Sequence, residues 1–139
     1  MNNILNIYLL VVSVLLLSSC SKSGNTPVTP PATLPKLSIL DLTQARDNKV
    51  WSTYRVFITV SASVNKDITV NYTTMDGTAV ANNDFTPVQG TLTIPANASE
   101  GYIDVPVRGD SLRQADQVFY IQISNPVNAT ISGTGKATV

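Results

Sequence analysis

After Lys36 the chain alternates apolar and polar residues in short runs. The apolar positions are Leu37 and Ile39; Tyr54, Val56, Ile58 and Val60; Ile68, Val70 and Tyr72; Leu92 and Ile94; Ile103, Val105 and Val107; Phe119, Ile121 and Ile123; and Ala129 and Ile131. A period of two places each set on one face of an extended strand, whereas a helix would need spacings of three and four. Turn-forming clusters separate the runs: Asn65-Lys66-Asp67, Pro95-Ala96-Asn97, Arg108-Gly109-Asp110, Asn125-Pro126 and Gly133-Thr134-Gly135. No segment carries the spacing of an amphipathic helix. About seven short strands, each with one apolar face, can bury those faces only against a second sheet, so the pattern predicts an all-β fold, a single antiparallel β-sandwich. Its phase places Val56, Ile58 and Tyr72 inside and Arg55, Thr59 and Asn71 outside, and a slip of one residue would exchange the two sets.

The alternation stops after Thr74. Asp76-Gly77 follows, a pair that tolerates positive φ, and then Asn82, Asn83 and Asp84, whose short polar side chains can bond their own backbone. Phe85 gives this long polar turn a large apolar anchor, and Gly90 reads as a second flexible joint before the next strand.

The chain before Lys36 is of another kind. Ile4 to Leu17 is almost wholly apolar but shorter than the roughly 20 residues that a spanning helix takes, so it reads as the core of a signal peptide. It has no Lys or Arg ahead of it. It ends in Leu17-Ser18-Ser19-Cys20, which looks like a bacterial lipobox: small residues before a cysteine that is acylated and becomes residue one. Residues 1–19 are therefore expected to be a lipoprotein signal peptide, with Cys20 the lipidation site and the membrane the first partner. Cys20 is the only cysteine, so no intramolecular disulfide can support the fold. Residues 20–35, with Pro27, Pro30, Pro31 and Pro35 among small polar residues, read as a disordered tether reaching roughly 45 Å at about 3 Å per residue. Ser21 stands where an aspartate would resemble an inner-membrane retention signal, which favours the outer membrane and leaves the periplasmic or surface face open. Residues 36–139 are left for one domain with one core.

Composition removes whole classes of function. Nine basic and nine acidic side chains balance and are scattered, so no basic patch suits a nucleic acid. There is no histidine, the commonest general base and metal ligand, and the acids are Glu100 and eight dispersed aspartates. No phosphate-binding glycine loop or nucleophile elbow occurs. The expectation is a protein that is not an enzyme.

The stretch VNYTTMDGTAVANNDFTPVQG, Val70 to Gly90, followed by Thr91-Leu92-Thr93-Ile94, resembles the Calx-beta domain. The resemblance covers nearly all of Leu37 to Val139. It implies an immunoglobulin-like sandwich and, in members that bind calcium, a site of Asp and Glu gathered from loops at one end. A hard divalent cation takes six to eight oxygens, which carboxylates supply. By this resemblance Asp84 and Asp110 are ligands, with Asp116 and Asp47 beside them. The chain departs from the pattern, however, with Gln114 and Gln117 where the family carries glutamates and Arg46-Asp47 where it carries Glu-Gly. An arginine there would repel a cation or pair with Asp84. No cofactor is required on this reading, and calcium would bind at low affinity at most. Arg46 and the glutamines would crosslink the loops directly.

Two roles follow for the domain: a binding or adhesion module for a glycan or envelope protein, or a structural spacer or accessory subunit of an envelope complex. A weak calcium-binding module is the third. Trp51, beside the polar segment Asp47 to Lys49, is the candidate ligand-binding aromatic; its neighbour Tyr54 lies on the core phase.

Overall fold

A computed structural model describes residues 33–46, 48, 50–109 and 115–139; Cys20, Asp47, Asp110 and Gln114 lie outside the described residues. The alternating runs lie in or beside eight strands: β1 (Lys36–Ile39), β2 (Trp51–Val60), β3 (Ile68–Met75), β4 (Gln89–Ile94), β5 (Glu100–Arg108), β6 (Tyr120–Val127), β7 (Thr130–Ile131) and β8 (Lys136–Thr138). They form two four-stranded sheets, ordered β5-β2-β1-β7 and β4-β3-β6-β8. Every pairing is antiparallel except β1 with β7. This is the immunoglobulin-like β-sandwich that the alternation and the resemblance lead one to expect.

Every apolar position named from the two-residue period is buried in the core or packed against it. Val56 and Ile58 are buried and Arg55 is exposed. Tyr72 is on the predicted face but only half-buried: its partner across the ladder is Gly90 of the edge strand β4, which has no side chain to cover the ring. Gly90 is thus a strand residue, not a joint. Asn125-Pro126 also lies within a strand, since β6 continues to Val127. The register with β3 shifts between Thr69 and Asn71, and Asn125 takes φ 49°, so the pair makes a β-bulge instead of a turn.

The eighth strand arises because the last one divides. β7 pairs with β1 in the first sheet and β8 with β6 in the second, and Gly133 and Gly135, at φ 64° and 65°, carry the chain across. The ten residues of β2 span the sandwich, roughly 33 Å. At its Val60 end the Ser61 N–H donates to the Lys36 carbonyl and the Thr130 N–H to that of Pro35, each at 2.9 Å. Pro35 and Lys36 therefore lie at the end of the sandwich opposite Trp51. Among the described residues no helix is long and apolar enough to cross a membrane.

Candidate functional site

The polar stretch after Met75 folds over the Trp51 end of the sandwich and ties its two sheets together. Asp76 starts it, accepting the Ala81 N–H at 2.9 Å through Oδ1. Gly77 does not use the positive φ expected of it. It is needed for closeness, because a Cβ there would collide with the Val118 carbonyl oxygen. That same backbone is held from both sides: the Val118 N–H donates to Thr78 Oγ1 at 2.8 Å, and the Ala79 N–H donates to the Val118 oxygen at 2.9 Å. Asn82, at φ 65°, then turns the chain so that its N–H reaches the Phe85 carbonyl at 2.8 Å. Phe85 is buried, stacks on Phe119 with ring centroids 4.4 Å apart, and bridges to Val107 of the opposite sheet.

Asp84 is fixed by this turn. Its N–H donates to the Val80 carbonyl at 2.9 Å, and its Oδ2 accepts the Val80 N–H at 2.8 Å. Its carbonyl accepts the Arg108 N–H at 2.8 Å, which docks the turn onto β5. Only 8% of Asp84 is exposed. Its second carboxylate oxygen, Oδ1, faces a guanidinium: Arg46 Nη2 lies 3.9 Å away and also donates to Gln117 Oε1 at 2.8 Å. The structure thus brings together Asp84, Arg46 and Gln117 from three separate segments. Asp116 is exposed next to Gln117, and among the described residues no three acidic, cysteine or histidine side chains gather.

A calcium ion would need several of these oxygens at about 2.3–2.6 Å. One carboxylate oxygen is used by Val80, the other faces a cation, and the amide oxygen of Gln117 is bonded to that same cation. The described residues do not fit calcium. A guanidinium of fixed charge stands instead beside Asp84, the one buried carboxylate of this end.

The Calx-beta domain profile matches residues 40–139. The chain belongs to the Calx-beta family. The sodium/calcium exchanger Calx of Drosophila melanogaster is 32% identical to it over 73 residues, which are 52% of this chain and 8% of the exchanger. The crystal structure of the calcium binding domain CBD12 of CALX1.1 is 30% identical, with a TM-score of 0.57, over 63% of this chain and 37% of that one. The apo-form Calx CBD1 domain superposes with a TM-score of 0.60 over 76% of this chain and 95% of its own; at 20% identity the likeness is one of fold. The chain covers only a small part of the exchanger and under half of CBD12.

Within the Calx-beta domain, the D-G-T-A motif of this chain acts as a clamp on residue 118. Sequence reasoning singled the motif out but read Gly77 as a turn residue, since nothing local announces that a distant carbonyl will press against it. Trp51 is 49% exposed, opposite Arg108 on β5, while Tyr54 is buried as its phase requires.

Proposed function

We propose that this chain is a bacterial envelope lipoprotein, anchored through Cys20, whose Calx-beta domain is a non-catalytic binding or adhesion module working without calcium. The observation that carries the reading is the Arg46 guanidinium bridging Gln117 and Asp84, a covalently tethered cation beside the carboxylate that the family resemblance marks as a calcium ligand. The relatives named for calcium are built for an ion; here Arg46 bonds Gln117 and faces Asp84 directly. Any remaining calcium affinity falls in the weak extracellular range near 10⁻⁴ to 10⁻³ M. The lipobox and the proline-rich tether support the anchored placement, the outer membrane being favoured by Ser21.

Replacing Cys20 by Ala tests the reading twice. The variant is expected in the soluble fraction where the wild-type chain sediments with membranes, because acyl chains supply the anchor. Purified, it is expected to bind saturably to envelopes from cells lacking the protein. An unchanged membrane fraction overturns the anchor, and absence of saturable binding overturns the module in favour of a spacer.

A further inference from the structure

The outer face of the sheet β5-β2-β1 carries large apolar side chains in a registered row. Phe57 lies opposite Tyr102, and the N–H of Leu40, the residue after β1, donates to the Phe57 carbonyl, so Leu40, Phe57 and Tyr102 stand side by side. They are 50%, 38% and 49% exposed, on the face that alternation assigns to polar residues. An isolated exposed leucine would need no explanation, but a contiguous row does.

The next row is Arg55 opposite Asp104. Arg55 Nε and Nη2 donate to the two carboxylate oxygens at 2.8 and 2.9 Å, and the guanidinium carbon lies 3.9 Å above the Tyr102 ring. Phe57 meets that ring edge-on, with centroids 6.4 Å apart. The exposed arginine is thereby held in one geometry from two directions, which lowers the ordering cost when something binds.

Three properties of the face select its occupant. Arg55 and Asp104 cancel at its centre, and Glu100 and Arg108 stand at opposite ends of β5 on the same face, so the field favours neither a polyanion nor a polycation. The rows stand on the outside of a sheet, which suits a ligand lying along it and not one enclosed by it. The outward neighbours along β2 and β1, Thr53, Thr59 and Ser38, are hydroxyls. A neutral chain of sugars matches all three, with apolar C–H faces for the rings and hydroxyl edges for the ion pair and threonines. A protein interface of ordinary size, about 800 Å² per partner around fully desolvated anchors, would have to bury a solvated ion pair at its centre.

We propose that this face is a platform for a neutral polysaccharide, with Tyr102 and Phe57 stacking on sugar rings and Arg55 and Asp104 orienting hydroxyls. It rests on the binding-module reading and adds the place and the chemical class of ligand.

Affinity electrophoresis of the full chain in detergent, through gels containing a β-glucan, an α-mannan or a galactan, tests it. At least one polysaccharide is expected to retard the wild-type chain. Tyr102→Ala and Arg55→Ala should each weaken retardation about tenfold, the effect of losing one stacking or charged contact. Tyr102→Phe, which keeps the ring, should retain most of it, and unaltered melting midpoints would show that the variants fold. Trp51 stands at the far end of the same outward face of β2, so retardation that survives Tyr102→Ala and is lost in Trp51→Ala overturns the Phe57–Tyr102 platform while leaving the module reading intact. Saturable envelope binding with no retardation in any gel overturns the polysaccharide and also spares the module. Tyr102→Ala that splits a dimer in sedimentation without changing retardation assigns the face to a second copy and overturns the proposal.

Discussion

At the scale of single residues, the loop end is held by contacts that a change of a few atoms removes. Gly77→Ala adds one methyl against the Val118 carbonyl oxygen. The strand end must shift, so the variant should lose about 1–3 kcal/mol in denaturant unfolding, an overpacking cost without any φ strain. Arg46→Met keeps the stem and deletes the charge that spans Gln117 and Asp84. It should lose about 1–3 kcal/mol, because the largely buried Asp84 carboxylate is left, among the described residues, with the Val80 N–H as its donor. A neutral outcome would show that the guanidinium is only a neighbour. In the core, Ile58→Ala should cost about 2–5 kcal/mol, and Thr59→Ala, on the opposite face, much less. Equal losses would mean that the face assignment is wrong.

At the scale of elements, the divided last strand depends on Gly135. A Cβ there would sit 2.8 Å from Ile131 Cγ2 at a φ of 65°, so Gly135→Ala combines crowding with left-handed strain. A loss of more than about 1–2 kcal/mol is expected, together with faster amide exchange in β8. The Arg55–Asp104 pair joins β2 to β5, and hydrogen bonding from the guanidinium holds the Asp104 carboxyl below its ordinary range. A carboxylate with a depressed folded pKa adds stability above the unfolded value, about 3.9, and loses it as pH falls through the folded one. Wild type and Asp104→Asn should therefore differ in midpoint near neutrality and converge in acid. The difference should be small, as the pair is solvated.

At the scale of the whole molecule, the fold should not depend on a metal. Thermal unfolding of the purified chain in millimolar calcium and in chelator should differ by under about 1 kcal/mol, since a ligand near its dissociation constant adds no more. Joint replacement Arg46→Glu, Gln114→Glu and Gln117→Glu removes the tethered cation and adds carboxylates. It should make stability depend on calcium. A large calcium-induced rise in the midpoint of the unmodified chain would show that the aspartates suffice despite Arg46.

Much of the sandwich was legible in the residues because strand alternation is a local signal. Leu37, Val56, Ile58, Val70, Val105 and Ile121 each declare their face through neighbours two positions away, and the core collects all of them. Two sheets follow, since single faces must be covered. The pairing of Arg46 with Asp84 was also legible, but only through the resemblance, which marks where an acid has become a base. The rest depended on apposition of distant segments. Asn125-Pro126 has turn chemistry, yet the partner strand β3 draws it into β6 as a bulge. The Leu40–Phe57–Tyr102 row exists only once β1 and β5 flank β2. Gln117 meets Arg46 across 71 residues, and Gly77 meets Val118 from a distant segment, outside any local period. A chain encodes its local periods residue by residue, whereas which carbonyl presses on which glycine is settled only when the sheets have closed.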